Sequence, residues 1–386
     1  MSKYLCLDTE TTTKNKGNPF THDNQLCYTG WKLAGEGQAT TLSHLQQGLC
    51  VDIIQAAIDS ADYLVAFNAK FDCHWLERIG GSLSRIRLWD CQYAEFLLNH
   101  QRTKYPSLEE AAIKYGIPGK LDVVKTEYWD KGIDTIDIPP EVVVEYLLQD
   151  LNVTEQLFRI QQKLFQTTEA SKWRLFQLHM EDQVVLREME RNGILYRTEE
   201  SLKQADDAKL QIDRIEEELR KDIGGVPINW NSGDHLSAYL YGGTIDVDTR
   251  IPVGVFKTGA KVGQTRYKVV THSYKLERQF EPIKGSELVK DGYYSTDEAT
   301  LRQLKGTKSS KERLSILDQR SKLEKLRGTY YAGYAKKIDE MGWLDNTLHP
   351  TLNQCVAVTG RLSSSNPNGQ NQPEESKRLC VSRYDC

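Results

Sequence analysis

Two carboxylates stand two positions apart near the start of the chain, in the stretch YLCLDTETTT at residues 4–13. Asp8 and Glu10 follow a short apolar run at residues 5–7, which is typical of a β-strand. Because successive side chains of a strand alternate between its two faces, Asp8 and Glu10 are expected on the same side. Two like charges this close repel each other, so the pattern predicts a positive partner between them.

Further polar residues that could take part in catalysis or metal binding occur in two other segments. The apolar run in LVAFNAKFD leads to Asn68, and Asp72 follows where a helix is expected to begin, a position that tolerates an anion. In EYLLQDLNV, Tyr146 and Asp150 are four residues apart and therefore share one helical face. Taken singly, each has an ordinary explanation as a turn residue, a helix N-terminal acid or a solvent-facing pair.

The elements that must position these residues alternate between strand and helix over the first 165 residues. Ser107 and Glu110 form an S-x-x-E capping box, and the pair Pro139-Pro140 is predicted to open the longest helix. This alternation predicts an α/β fold. The predicted strands are 5–7, 63–67 and 85–88, and the predicted helices begin near Lys70 and Ser107 and span 93–98.

The remainder of the chain differs in composition and in its predicted secondary structure. From about residue 172 long charged helices are predicted, with Ile212, Ile215, Leu219 and Ile223 at helical spacing. Residues 244–294 are rich in Thr, Val, Gly and Tyr and are predicted to form β-hairpins. We therefore expect one domain at 1–165 and a second, mainly helical region at 166–386 with a basic, β-rich insertion at 244–294.

Composition excludes several classes of protein. Of 386 residues, 39% are hydrophobic and 27% charged, and no apolar run approaches 18 residues, which is typical of a soluble globular protein. The N-terminus lacks the apolar stretch of a secretion signal, so a cytoplasmic location and no membrane partner are expected. The eight cysteines include no C-x-x-C pair, so no zinc site is predicted. A net charge of −4 means that nucleic-acid binding must come from local basic patches.

Taken together, the motifs D-x-E, N-x-x-F-D and Y-x-x-x-D over residues 8–150 resemble the DEDDy 3′-to-5′ exonuclease family. The resemblance implies an RNase H-like domain with a mixed sheet, in which the acidic residues hold two divalent cations, Mg²⁺ or Mn²⁺. It implies that Asp8 bridges both ions, that Glu10 and Asp150 complete the first site and that Asp72 serves the second. Tyr146 would orient the attacking water, because a phenol with a pKa near 10 is a poor general base. The same resemblance makes Thr9, Asn68 and Phe71 candidate contacts to the terminal nucleotide, with Leu26 a weaker one.

The second half resembles family A DNA polymerases, the DNA polymerase I family. The segments MEDQVVLREMERNGILY, INWNSGDHLSAYLYG, YYSTDEATLRQL and LEKLRGTYYAGY follow that family's order, and HPTLNQCVAVTGRLSSSNPNGQNQP at residues 349–373 is the most specific match. The resemblance implies a thumb-like helical region and, at 345–386, the start of the palm, whose loops run along the primer-template duplex. Phosphate and minor-groove contacts would suit these side chains. The candidate DNA-binding residues are Arg361, Ser363, Ser364, Asn368, Gln370 and Asn371.

Residues 250–278 hold seven cations and a single acid, Glu277, with Phe256, Tyr267 and Tyr274 interleaved. Such a stretch can follow a nucleic-acid backbone. A solvated hairpin face and a docking site for a processivity factor remain open as alternatives. The candidate DNA contacts in this stretch are Lys257, Lys261, Arg266 and Lys268.

Two functions compete at this point. One is a metal-dependent 3′-to-5′ exodeoxyribonuclease that acts on single-stranded 3′ ends, as the proofreading and thumb portion of a replicative phage-type polymerase. The other is a DNA-binding subunit of a split polymerase, completed by a second polypeptide that carries the palm and fingers. An RNA-trimming exonuclease is a weaker third possibility. The sequence ends before the family's palm motifs, so the chain alone is not expected to polymerise. A split gene, an interrupted gene and a truncation all fit, and Cys386 would suit a protein-splicing junction.

Overall fold

The computed structural model describes residues 3–118 and 123–383. The chain divides into two compact units, one formed by Met1–Thr198 with Tyr334–Cys386 and the other by Glu199–Gly333. These boundaries differ from the predicted division after residue 165. Cys386, which would suit a protein-splicing junction, lies outside the described residues.

A five-stranded mixed sheet organises the first unit. The order of its strands is β3-β2-β1-β4-β5. Strand β1 runs antiparallel to β2 and parallel to β4. Strand β3 is antiparallel to β2, and β5 is parallel to β4. The predicted mixed α/β architecture is therefore confirmed. The strands are β1 Tyr4–Thr11, β2 Leu26–Leu33, β3 Thr40–Ser43, β4 Tyr63–Ala66 and β5 Arg87–Asp90.

Local sequence signals account for where the main helices of this unit begin. The capping box between Ser107 and Glu110 is present, and Pro140 occupies the first turn of the longest helix. Asp90 caps another helix by accepting hydrogen bonds from the backbone of Gln92 and Tyr93. The helices are α1 His44–Gln47, α2 Val51–Asp59, α3 Ala69–Arg78, α4 Cys91–Leu98, α5 Leu108–Tyr115, α6 Val123–Glu127, α7 Pro140–Gln166 and α8 Trp173–Asn192.

Helix α8 lies beyond the predicted end of the first domain, yet it packs within the first unit. Phe176 and Met180 are buried in the same apolar core as Leu5 and Leu7 of β1. Trp89 of β5 also contacts the Phe176 ring, with centroids 4.6 Å apart. Burial of these large side chains explains why the compact unit extends to Thr198. The short strand β6, Ile194–Tyr196, follows α8.

The second unit combines helices with one long hairpin. Ile212 and Leu219 are buried, as the helical spacing predicts, and Leu219 shares a core with Trp230, Tyr239 and Phe280. The elements are α9 Thr198–Asp222, α10 Gly233–Tyr241, β7 Gly243–Val255, β8 Thr265–Leu276, α11 Glu298–Leu301 and α12 Lys308–Lys325, followed by a π-helical turn at Leu326–Tyr331.

The predicted β-rich insertion is shorter than expected. Strands β7 and β8 pair from Gly243 to Leu276, whereas the predicted hairpins extend to residue 294. Between the end of β8 and residue 294, a range that the structure describes throughout, the only further strand pairing is the single bridge Glu287–Tyr294. Gly285 and Gly292 both adopt positive φ in this segment, as glycines in turns commonly do.

The last segment of the chain belongs to the first unit again and contributes to two small sheets, ordered β12-β6-β9 and β10-β11. No helix in the described ranges is long and apolar enough to cross a membrane. The remaining elements are α13 Ala332–Met341, β9 Thr347–Leu348, β10 Thr351–Asn353, β11 Ser363–Ser365, α14 Glu374–Lys377 and β12 Cys380–Val381.

Candidate functional site

One face of β1 points at helix α7. Tyr4 donates its hydroxyl hydrogen to Glu155 Oε1 at 2.7 Å, and Cys6 Sγ lies 3.6 Å from the carbonyl oxygen of Leu151. Both partners belong to α7. Asp8 and Glu10 continue the same alternation, so their side chains leave β1 on the α7 side.

Gly30 of β2 provides independent support for this orientation. It pairs directly with Asp8, and directly opposed residues of antiparallel strands project from the same face. A Cβ atom at Gly30 would lie 2.8 Å from Leu151 Cδ1 and 2.9 Å from Leu147 Cγ. The absence of a side chain at Gly30 therefore lets α7 approach the sheet next to Asp8.

Tyr146 and Asp150 lie on the part of α7 that this register brings to Asp8. Moving two residues along a strand covers ~7 Å, which is the rise of between four and five residues of a helix. Since Cys6 lies next to Leu151, the corresponding position for Asp8 is four or five residues before Leu151, close to Tyr146. Both side chains are 8% exposed. Tyr146 shares an apolar cluster with Tyr28, which pairs with Glu10. Four of the five predicted catalytic residues thus lie where β1 and α7 pack together.

Asp72, the fifth, approaches β1 from its other face. Thr9 projects away from α7, and its hydroxyl donates to Asp72 Oδ1 at 2.6 Å. Asp72 is 2% exposed in the first turn of α3. Burial raises the pKa of this carboxyl to about 7, and the hydrogen bond from Thr9 opposes the rise. Thr9, a predicted nucleotide contact, therefore also holds a predicted metal ligand.

The predicted ligands have the right chemistry for a divalent cation, but their side chains are not arranged around a common point. Carboxylate oxygens are the ligands that Mg²⁺ and Mn²⁺ prefer. Across residues 3–118 and 123–383, however, no three Asp, Glu, His or Cys side chains are gathered closely enough to hold an ion. Asp72 in particular is engaged by Thr9. The chemistry of the set fits metal binding, whereas a closed ligand cage is not preformed.

We expect Asp72→Asn to stabilise the protein at pH 8 in EDTA. The folded-state pKa of about 7 exceeds the unfolded value of 3.8, so stability from protonated Asp72 is present below pH ~4 and is lost as pH rises to 7. Asparagine removes the buried charge and should add ~2–4 kcal/mol to the free energy of unfolding at pH 8 and almost nothing at pH 4. Urea denaturation measures both values. An equal gain for Asp72→Asn at the two pH values, or a gain in the exposed control Asp52→Asn, would contradict the assignment.

Asn68 and Phe71, the other predicted nucleotide contacts, line a cavity of about 380 Å³. Asn68 is exposed in a left-handed conformation at the start of α3, and its backbone N–H donates to Asp90 Oδ1 at 3.1 Å. Three cations share the cavity wall: Lys16, Lys70 and Lys337. The structure therefore places the two predicted residues in an open, basic cleft.

A buried charged cluster that the sequence reasoning missed supports this cleft. Glu190 of α8 is 3% exposed and accepts from Lys70 Nζ and the backbone N–H of Leu352, while His74 Nε2 lies 2.8 Å from its other oxygen. Burial alone would raise the pKa of Glu190, but hydrogen bonding to His74 and the Lys70 charge outweigh burial and lower it.

A signal for Glu190 is present in the sequence. The buried positions of α8 recur every three or four residues, and Glu190 falls on that buried stripe rather than on the solvent side. A carboxylate in such a position needs buried cationic partners. The stripe contains Phe176, Met180, Gln183, Arg187 and Glu190.

The predicted duplex-binding loop contains both exposed and internal residues. Arg361 and Gln370 are exposed. Ser364, in contrast, is 7% exposed; its hydroxyl donates to the Pro367 carbonyl and accepts from the Gly369 N–H. Ser364 therefore shapes the loop. Ser363 is half-buried in β11, and Asn368 and Asn371 are exposed.

Comparison with known proteins identifies the relationship of this second half. Residues 269–383 match the family described as DNA polymerase family A. The chain is 30% identical to DNA polymerase I of Synechocystis over 336 residues, and 24% identical to the DNA polymerase of Bacillus phage SP01 over 388 residues. The chain is related to the family A DNA polymerases. It spans 29% of the Synechocystis polymerase and 39% of the phage polymerase, while 85% and 91% of the chain are covered.

A solved structure has a similar fold. The POL domain of Pol1 from M. smegmatis, in complex with DNA primer-template and dNTP, superposes with a TM-score of 0.65 over 98% of this chain and 54% of that one. Sequence identity is 18%, so the likeness concerns the fold. The residues matched to the polymerase family do not include Asp8, Glu10, Asp72, Tyr146 or Asp150.

Proposed function

We propose that the chain is a 3′-to-5′ exodeoxyribonuclease, the proofreading and thumb portion of a family A replicative DNA polymerase. The observation that carries the proposal is the packing of β1 on α7. The hydrogen bonds of Tyr4 and Cys6 and the missing side chain of Gly30 direct Asp8 and Glu10 towards the helix that carries Tyr146 and Asp150. The mixed five-stranded sheet supports the RNase H-like architecture that the motifs imply.

In this proposal Asp8, Glu10 and Asp150 would hold one divalent ion, and Asp8 together with Asp72 would hold a second. Bound ions would lower the pKa of a water and neutralise the departing oxyanion. Tyr146 orients that water through its hydroxyl, which α7 holds one turn from Asp150. Thr9 sets the position of Asp72 by hydrogen bonding.

The cleft next to this site supports a polynucleotide substrate. Lys16 and Lys337 provide positive charge for phosphates, and Phe71 offers a ring on which a base can stack. Asn68 adds an exposed amide at the same wall. We propose that the 3′-terminal strand lies along this cleft.

The experiment that tests the proposal follows a 5′-labelled single strand through digestion by the purified chain with Mg²⁺ or Mn²⁺. Stepwise shortening from the 3′ end supports an exonuclease, and a 3′-terminal phosphorothioate should slow the first step. A matched RNA strand, cut more slowly than DNA, would support the deoxyribonuclease assignment. No shortening of either strand with both metals would contradict the proposed function.

We expect Tyr146→Phe to lower kcat by about 5- to 150-fold, equivalent to ~1–3 kcal/mol of transition-state stabilisation, because only the water-positioning hydroxyl is lost. Tyr128→Phe is the matched control, since Tyr128 packs against the same apolar cluster. Single-turnover digestion measures the rates. Equal rates for Tyr146→Phe and the wild type would remove Tyr146 from the mechanism.

A further inference from the structure

Strands β7 and β8 form a two-stranded ribbon that is anchored at one end. At its base Ile245 and Leu276 are buried in the core of the second unit, and Val247 and Tyr274 pack against that core. Beyond Thr249 nearly every residue of both strands is exposed. The base therefore fixes the ribbon, and its outer half stands in solvent.

Charge is separated along the ribbon. The acids Asp246 and Asp248 lie at the base, where they accept hydrogen bonds from Ser273 and Thr271, each at 2.6 Å. From residue 249 to residue 276 the sequence contains no acid. Within the described residues, none of the cations in this stretch forms an ion pair. These cations are Arg250, Lys257, Lys261, Arg266, Lys268 and Lys275.

The strand register distributes these cations around the outer half. Lys268 pairs with Ile251 and shares its face with Arg266, whereas Arg250 pairs with Val269 and projects from the opposite face. Lys257 and Lys261 lie in the connecting loop. Positive charge therefore occurs on both faces and at the tip.

Exposed apolar side chains accompany the charge. Ile251, Val255, Tyr267 and Val269 are 43–55% exposed, although they alternate with cations on a strand pair that is surrounded by solvent. Exposed apolar side chains on a hairpin that faces only solvent contribute no burial energy, whereas they do so when a ligand covers them. The ligand must be strongly anionic, because no acid offsets the cations of the outer half.

We propose that the outer half of the ribbon, residues 250–268, binds duplex DNA by inserting into a groove. The major groove admits a two-stranded ribbon, and its walls are phosphates on both sides, which matches cations on both faces. The apolar side chains contact the deoxyribose sugars of the groove walls. Backbone contacts of this kind are independent of base sequence. This activity goes beyond the proposed exonuclease and does not depend on it.

The test measures binding of the full chain to a labelled duplex in EDTA across a series of salt concentrations. The variant carries Lys257→Gln, Lys261→Gln, Arg266→Gln and Lys268→Gln. Each lost phosphate contact removes about 0.9 from the slope of log K against log salt, so a loss of about two to four is expected, with affinity reduced about tenfold or more at ~0.1 M salt. EDTA prevents metal-dependent cleavage, so the outcome is separate from that of the exonuclease assay.

The matched control removes the same charge elsewhere in the second unit. Lys209, Lys221, Arg302 and Lys322 are exposed and ion-paired, and their replacement by Gln should leave the slope nearly unchanged. In the wild type, bound duplex should also protect Lys257, Lys261 and Lys268 from acetylation. An unchanged slope in the ribbon variant, or no protection, would overturn the proposal and favour a protein partner for this surface.

Discussion

Asp8→Ala is expected to lower the rate of 3′-end removal by at least about 10³-fold. Asp8 lies on the face of β1 that points to α7, and the proposal makes it the ligand shared by both ions. Loss of that ligand would remove several kcal/mol of transition-state stabilisation, and each 1.36 kcal/mol corresponds to about tenfold in rate. Single-turnover digestion of a labelled strand in Mg²⁺ measures the change, and the double variant with Glu10→Ala should be no more active.

Two exposed acids of the same unit provide controls for this variant. Asp52→Ala and Glu109→Ala each remove a solvent-exposed carboxylate that the proposal gives no role, and both variants should retain full activity. Thermal unfolding of all variants in EDTA separates lost chemistry from lost folding. Metal-dependent cleavage that survives in the Asp8→Ala, Glu10→Ala double variant would show that the site lies elsewhere.

Glu190→Ala is expected to reduce the free energy of unfolding by ~3–5 kcal/mol. The carboxylate neutralises Lys70, whose side chain is 14% exposed, and it accepts the backbone N–H of Leu352. Removal of one partner leaves the other charge buried without compensation, which costs more than the pair contributes. Urea denaturation at pH 7 measures the loss.

The lysine offers a way to separate charge from packing. In the double variant Lys70→Met, Glu190→Ala no buried ammonium remains, so part of the loss should be recovered. Glu188→Ala, an exposed change on the same helix, should stay within about 0.5 kcal/mol of the wild type. A Glu190→Ala loss as small as this control would mean that the cluster does not stabilise the cleft.

Local signals predicted the elements that carry the site. The apolar run before Asp8, the capping box at Ser107 and the Pro139-Pro140 pair placed β1, α5 and α7. Strands β2 and β3 were not predicted. The connection between β1 and β2 spans residues 12–25 without the tight two-residue turn that identifies a hairpin in sequence.

Contacts between distant segments could not be predicted from these local patterns. The hydrogen bond from Thr9 to Asp72 joins residues 63 positions apart, and Glu190 lies 120 positions from Lys70. Nothing near Gly30 in sequence indicates that α7 packs against it. Such contacts depend on tertiary packing, which overrides local preference. The second polypeptide, the processivity factor and the cytoplasmic location stay predictions.

Anomalous diffraction from crystals soaked in Mn²⁺ with a short single strand shows whether Asp8, Glu10, Asp72 and Asp150 bind two catalytic ions. Two manganese peaks about 4 Å apart are expected, both next to Asp8, with Asp72 turned from Thr9 towards one of them. Manganese bound only at other residues, or no peak near Asp8 while the strand is bound in the cleft, would contradict this assignment.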